Sequence, residues 1–408
     1  MNTVALKIQR RGSPRTALNE IGILKAVERH GPCPNIVALH EVFLHDGHIC
    51  MAYEKHGRAL EDEINSRPLT SAETLSVTQQ IHAALTHLHA AGFTHTDVKP
   101  ENILYDRRTG VAKLADLGNA EQQLATGTSL CTREYTPPEV LLGAPLTPAL
   151  DFWSLGCTVF EMLTDEVLFT PRTVAAEKYK EFYFDDEGSQ EETPATIATI
   201  AADEASEAAE QYPPGTVIAG KYRLGKVLGR GRFGTVWSAK VISPAALDGT
   251  YETLAAHCDA HDAARPPRSD AQRHARTWKK TKGADDLRDL ALNYEHLLLI
   301  DQLCGPLPTD LIRAGTFKTS FFTPDGKFRH PGKSGPASIA AQLKEYAPRL
   351  RAPGIQRFTA LIAQLCHVRA EERRLPGALG APQCRGERLN SRNPLRLLAP
   401  AVGIEPTT

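Results

Sequence analysis

The sequence predicts an α+β fold in two lobes, a small strand-rich lobe followed by a larger helical one, broken by a long insert. Three observations carry this. Short runs in the first 55 or so residues alternate apolar and polar positions, the strand period of two. From Thr70 onward the apolar residues recur at helical spacing. Composition then breaks sharply. Between Glu181 and Gly220 there are ten acidic residues and no Lys or Arg, and between Arg265 and Lys282 seven basic residues and one acid. Such segregated stretches read as solvated linker rather than packed core.

The elements follow in order. Thr3 to Ile8 alternates around Lys7 as a short strand should, and Asn19 to Val27 reads as a helix with Glu20 and Leu24 on one face. Ile36 to Phe43 and His48 to Tyr53 read as strands joined by the turn His45-Asp46-Gly47-His48. Thr70 and Glu73 form a capping box ahead of a helix that carries Val77, Ile81, Leu85 and Leu88 on one face and ends at Ala91-Gly92. Asn102 to Tyr105 and Val111 to Leu114 flank a D-R-R-T-G turn as a hairpin. Asp151 to Leu163 is apolar nearly all round, hence a buried helix.

With 408 residues, 41% hydrophobic and 23% charged, the chain has ample length for a real core. No apolar run reaches the roughly 18 residues of a membrane span, and Met1 to Gly12 lacks the apolar core of a secretory signal. The eight cysteines are scattered with no C-x-x-C, which fits reduced thiols in a cytoplasmic or nuclear protein. A net charge of −1 argues against direct nucleic-acid binding as the main task. The expected state is a monomer that binds no membrane.

Four motifs occur in a fixed order. T-H-T-D-V-K-P-E-N-I-L spans Thr94 to Leu104, and A-D-L-G with Asp116 comes next. T-x-x-Y-x-P-P-E runs from Thr132 to Glu139, and D-x-W-S-x-G from Asp151 to Gly156. Before them lie V-A-L-K with Lys7 and, thirteen residues on, Glu20. This ordered set resembles the signature of the eukaryotic-type protein kinases, and with it a bilobal kinase-like fold. Taken singly, each residue has a plainer reading, a surface carboxylate, a solvated lysine or a turn asparagine; the order makes the set specific.

The resemblance implies ATP and Mg²⁺ as cofactors and assigns roles. Phosphoryl transfer is catalysed mainly by positioning and by cations on the phosphate oxygens. Asp97 would accept the proton of the attacking hydroxyl, and Lys99 would neutralise the γ-phosphate. Asn102 and Asp116 would hold Mg²⁺ through oxygen. Lys7 would bind the α- and β-phosphates, held by Glu20. Tyr53 would stand at the back of the nucleotide pocket, Glu54 to His56 would form the strap between lobes, and Ala5 and Leu104 would sandwich the adenine. Leu24, His95 and Leu117 would align the lobes, and Glu139 would pair with Arg373.

Lys99 and Thr132 point to serine/threonine rather than tyrosine specificity. H-T-D, D-L-G-N-A and T-R-E-Y together resemble the SR-protein kinases, within the group that contains the cyclin-dependent and MAP kinases. The stretch from Tyr294 to His330 adds to this likeness. The resemblance implies Arg/Ser-rich protein substrates docking near Glu295 and Asp301. Those two positions are six apart, so a regular helix does not put them on one face. Thr96 stands where many kinases carry arginine, so the resemblance implies activity without phosphorylation of the activation segment.

One element is out of place. Only six residues precede Lys7, where a kinase has two strands and a Gly-rich loop. G-x-G-x-x-G-x-V, with Gly229, Gly231, Gly234 and Val236, lies instead within 221–240, between runs that fit two antiparallel strands. Three arrangements stay open: docking onto the Lys7 strand from within the insert, the start of a second truncated copy, or a scrambled or truncated gene model with the segment displaced from a place upstream of Met1. Linkers of about 50 residues on each side permit the first, because closure cost grows only logarithmically with length.

The expected organisation is therefore 1–56 partial small lobe from its third strand, 57–172 first part of the large lobe and 173–290 insert with 221–240. After the insert come 291–375, the second part of the large lobe, and 376–408, a disordered tail. Asp185 to Gln211 and Ala260 to Gly283 are also expected to be disordered. The expected function is a Ser/Thr protein kinase; the alternative is a pseudokinase or truncated fragment that acts only as a binding module.

Overall fold

The computed structural model describes residues 3–10, 14–122, 124, 131–171, 212–231, 234–244, 251–263, 284–329 and 338–376. The first half carries β1 (Thr3–Gln9), α1 (Pro14–His30), β2 (Leu39–His45), β3 (His48–Glu54), β4 (Arg58–Ala59), α2 (Leu60–Ser66) and α3 (Ser71–Ala90). It continues with β5 (Ile103–Asp106), β6 (Val111–Leu114), α4 (Pro138–Leu142) and α5 (Leu150–Thr164). The second half carries β7 (Val217–Ile218), β8 (Tyr222–Gly231), β9 (Gly234–Val241), α6 (Tyr251–Ala263) and α7 (Ala284–Cys304). It ends with α8 (Thr309–Ala314), α9 (Lys318–Phe321), α10 (Ile339–Tyr346) and α11 (Ala352–Leu365).

The small lobe is a six-stranded sheet in the order β2-β3-β1-β9-β8-β7. β1 pairs antiparallel with β3 on one edge and with β9 on the other. The displaced Gly-rich segment is thus a hairpin laid along the Lys7 strand, with Lys7 opposite Val236 and Gln9 opposite Gly234. Gly234 is required there: a Cβ would stand 2.4 Å from the Ile8 carbonyl oxygen, a backbone atom that cannot swing aside. The turn tip, residues 232–233, lies outside the described residues.

Side-chain alternation divides the sheet into two faces. Val4, Leu6 and Ile8 turn into one core with Phe43, Cys50 and Ala52; β7 supplies Ile218 to it, and the β8–β9 hairpin Tyr222, Leu224, Trp237 and Ala239. Ala5 and Lys7 face the other way, toward α1. The two ends of the sheet are also tied by side chains. Tyr222 stacks on Phe43 at 5.5 Å, the Tyr222 hydroxyl donates to Glu41, and Lys221 pairs with Glu41 at 2.9 Å.

The large lobe packs α5 against α3 and α11, with α10 also against α5. Apolar side chains fill α5 all round, and Trp153, Leu155, Val159, Phe160 and Leu163 are buried. α3 begins with the expected capping box. Thr70 accepts from the Glu73 amide, and the Glu73 carboxylate accepts from the Thr70 amide at 2.8 Å. In the tight β2–β3 turn both central residues, Asp46 (φ 49°) and Gly47 (φ 76°), are left-handed, as such hairpins require.

Several expectations need correction. The first helix starts at Pro14 and ends at His30, longer than 19–27 at both ends. The second strand starts at Leu39, not Ile36, because the 35–37 stretch is drawn to β6 instead. The Val37 amide donates to the Leu114 carbonyl at 3.0 Å, and the Leu114 amide to that of Asn35 at 2.7 Å. Asn102 belongs to a 3-10 turn over Pro100–Asn102 rather than to a strand. Ala260 to Ala263, expected to be disordered, close helix α6, whose Leu254 and Cys258 are buried in the main core. The expected boundary at 290/291 falls within the continuous helix α7. The stretches expected to be disordered at 185–211 and 264–283, and all of the tail but Pro376, lie outside the described residues.

Candidate active site

Lys7 projects from β1 toward α1, and its ammonium meets two carboxylates at once. Nζ lies 2.7 Å from Glu20 Oε2 and 2.9 Å from Asp116 Oδ1. Residues 109 apart in sequence are thereby joined through one charge. Burial pushes the Lys7 ammonium down, but Glu20 and Asp116 outweigh it and hold it above its usual value. Burial pushes Asp116 up, and Lys7 outweighs that and holds it below the usual carboxylate value. Asp116 sits in the left-handed region (φ 56°), at the end of β6 where the chain turns into a short 3-10 segment.

A second cluster forms around Asp97. Its Oδ1 accepts from the Thr132 hydroxyl at 2.6 Å and the Thr132 amide at 3.2 Å. Its Oδ2 faces Lys99 Nζ at 3.2 Å and accepts from Asn102 Nδ2 at 3.1 Å. Lys99 also donates to Thr132 Oγ1 at 2.8 Å. Asn102 Nδ2 donates as well to the Asp97 carbonyl at 2.8 Å. Both Asn102 bonds use its nitrogen, so its side-chain oxygen and the Asp116 carboxylate are the groups that would hold a hard cation. That oxygen donor set fits Mg²⁺.

The loop carrying Asp97 is held from below by Asp151 on α5, which is fully buried. Asp151 Oδ2 accepts from the His95 amide at 2.8 Å and lies 2.8 Å from His89 Nε2. Its Oδ1 accepts from the Thr96 amide at 2.8 Å. Thr96 is left-handed (φ 69°), a costly conformation for a β-branched residue. That amide bond and a 3.0 Å bond from its hydroxyl to the Asn119 carbonyl hold it there. Position 96 therefore brings no cation beside Asp97.

The other expected site residues fall as follows. Ala5 on β1 and Leu104 on β5 are the part-exposed apolar members of their strands, one in each lobe. Val236 stands on β9 beside Lys7. The backbone of Gly229 and Gly231 lies on β8, and Gly231 pairs with Gly234. The strap side chains are spent on structure. Glu54 pairs with Lys113 at 2.7 Å and accepts from the Ala38 amide, while His56 Nε2 lies 3.0 Å from the Val111 carbonyl.

Glu139 and Arg373 form a buried two-bond pair at 2.5 and 2.8 Å, across 234 positions. Glu295 and Asp301 both lie on α7, part-buried. Asp301 is engaged within the fold, accepting from the Leu307 amide at 3.0 Å. Sequence reasoning missed the bond from the Tyr53 hydroxyl to Glu20 Oε1, at 2.6 Å. A tyrosine at the end of a buried strand was the available signal, since a buried phenol needs an acceptor.

Among known families, the protein kinase domain model matches residues 2–209, just over half of the chain. The chain belongs to the protein kinase domain family. It is similar to the serine/threonine-protein kinase prp4 of Schizosaccharomyces pombe, 30% identical over 182 residues, covering 42% of this chain and 38% of that one. It is also similar to cell division control protein 2 homolog 2 of Trypanosoma brucei brucei, 31% identical over 190 residues, covering 45% and 54%. A third relative, homeodomain-interacting protein kinase 2 of Mesocricetus auratus, is 35% identical over 136 residues, covering 31% and 12%. The chain thus spans between about one eighth and about half of the length of these relatives. No helix among the described residues is long and apolar enough to cross a membrane. None of the seven described cysteines forms a disulfide.

Proposed function

We propose that this chain is a serine/threonine protein kinase that transfers the γ-phosphate of ATP to protein hydroxyls. The observation that carries the reading is the convergence of Lys7, Glu20 and Asp116 on one ion-pair network, with Asp97, Lys99, Asn102 and Thr132 in a second cluster beside it. Retention of both clusters favours an active enzyme over a pseudokinase or truncated fragment that acts only as a binding module.

Each residue then has a task. Lys7, fixed by Glu20, presents its ammonium to the α- and β-phosphates. Asn102 and Asp116 offer oxygen ligands to Mg²⁺, which when bound neutralises charge on the phosphates. Asp97 accepts the proton of the incoming hydroxyl. Thr132 and Asn102 orient its two oxygens, so the carboxylate is aimed before substrate arrives. Lys99 places a cation where charge gathers on the transferred group. Ala5 and Leu104 flank the base, and the backbones of residues 54–56 border it. The β8–β9 hairpin, with Gly229, Gly231, Gly234 and Val236, lies against β1 where a kinase carries its first two strands, and covers the phosphates. The uncharged Thr96 supports activity without a phosphate on the activation segment.

Arg/Ser-rich substrates, docking through Glu295 and Asp301, are the finer reading. It rests on the likeness to SR-protein kinases. Asp301's bond to Leu307 counts against that residue as a free docking charge. Phosphorylation of an Arg-Ser repeat peptide and of an acidic serine peptide, by wild type and by Asp97→Asn, tests both levels. Wild type should prefer the basic peptide, and Asp97→Asn should lose roughly 10²–10⁴-fold in turnover. Undiminished turnover in that variant would refute the kinase assignment; indifference between the peptides would remove only the substrate preference.

A further inference from the structure

Glu20 is a buried carboxylate with donors at both oxygens. Oε2 takes the Lys7 ammonium at 2.7 Å, and Oε1 takes the Tyr53 hydroxyl at 2.6 Å. The donors come from hydrogen-bonded neighbouring strands, β1 and β3, with Ala5 opposite Tyr53 and Lys7 opposite Met51. Alternation therefore puts Lys7 and Tyr53 on the same sheet face, the one that meets α1. We propose that Tyr53 is a positioning residue for phosphoryl transfer, whose hydroxyl holds the Glu20 carboxylate turned toward Lys7 and so sets the orientation of α1 from within the sheet. This rests on the kinase reading above.

The physical case has three parts. A carboxylate with one bonded oxygen can still rotate about its last torsion, whereas two donors from a rigid sheet fix its plane. The hydrogen bonds that neighbouring Asn19 makes to the large lobe are long: its Nδ2 lies 3.5 Å from both the Gly118 and the Ala120 carbonyls. The two bonds to Glu20 are short and directional, so they add an orientation for its carboxylate to the apolar packing of Ala17, Ile21 and Leu24. Burial and the neighbouring Glu20 also push the Tyr53 phenol well above its ordinary value. It therefore remains a protonated donor throughout the pH range in which a kinase works. Tyr53→Phe removes one oxygen atom and keeps the packed ring. It leaves Glu20 Oε1 facing a dry pocket with no donor, a loss that corresponds to roughly 10- to 100-fold in equilibrium terms.

The experiment is a double-mutant cycle on the full chain. MgATP affinity is measured by titration calorimetry, and single-turnover phosphorylation alongside it, for wild type, Tyr53→Phe, Glu20→Ala and the double variant. Thermal midpoints show that each is folded. We expect Tyr53→Phe to weaken MgATP binding or slow transfer by about tenfold in the wild-type background. In the Glu20→Ala background, with no carboxylate left to orient, it should change either quantity less than about twofold. Equal losses in both backgrounds would make Tyr53 a packing residue and overturn the proposal. So would a Tyr53→Phe protein with wild-type affinity and rate. Wild-type protein that binds no MgATP would overturn the kinase reading itself, and that is read before any variant is compared.

Discussion

Trp237→Ala tests whether the insert hairpin is an integral part of the small lobe. Trp237 is only 6% exposed and stands on β9 opposite Leu6 of β1 and Val227 of β8. Its ring fills the core made by Val4, Leu6, Ile8, Phe43, Ile218, Tyr222 and Leu224. Truncating a buried tryptophan removes its transfer free energy and leaves a cavity, together roughly 3–5 kcal/mol. Against a typical total of about 5–15 kcal/mol, that is a large fraction. Leu228→Ala is the internal control. It lies on the same hairpin but is 39% exposed, and its truncation should stay within about 0.5 kcal/mol. Urea unfolding followed by far-UV circular dichroism reads both, with the midpoint compared at unchanged slope. MgATP affinity should fall with Trp237→Ala and hold with Leu228→Ala. If both variants shift the midpoint equally, by less than about 0.5 kcal/mol, the hairpin is not packed on β1 and the completed nucleotide site fails with it.

Two further outcomes follow from buried charges. Arg373→Ala should cost about 3–5 kcal/mol in denaturant unfolding, because it strands Glu139, whose side chain is 3% exposed; a loss under about 1 kcal/mol would contradict the two-bond geometry. Burial pushes the Glu161 carboxyl up to about 7, although the Tyr135 hydroxyl bond at 2.6 Å works the other way. Its folded value thus exceeds its unfolded value of about 4.3, so the stability it contributes is full below about pH 4 and is lost as pH rises through about 7. Wild type should lose up to about 3 kcal/mol between pH 5 and 8 that Glu161→Gln does not lose; parallel pH curves would show that Glu161 is not the group responsible.

The parts of the site legible in the sequence are those whose chemistry is local. Asp97, Lys99 and Asn102 lie within six residues, and one loop brings their side chains into a single cluster, so their spacing carries the information. The capping box of α3 and the β5–β6 hairpin are likewise written in consecutive residues. What stayed hidden depends on partners far along the chain. Helix α6 has no strong amphipathic stripe, and its order comes from burying Leu254 and Cys258 against the main core beside α1, which local propensity does not report. Strand β2 starts three residues late because residues 35–37 find better hydrogen bonds on β6.

The placement of the hairpin is the strongest case of non-local information. Nothing in 221–240 names its partner, and the glycines alone fit several folds. What selects the partner is β1: without β9 it would expose seven residues of unpaired strand edge. The inward faces of Leu6 and Ile8 would also lack a cover. The hairpin offers both a matching edge and the missing apolar side chains, and Glu41 at the far end of the sheet accepts from Lys221 and Tyr222. Edge, core and charge agree on one register, and in that register Val236 falls beside Lys7. The same pairing that satisfies the sheet therefore brings the Gly-rich segment to the lysine, so on the proposed reading the small lobe and the nucleotide site are completed together.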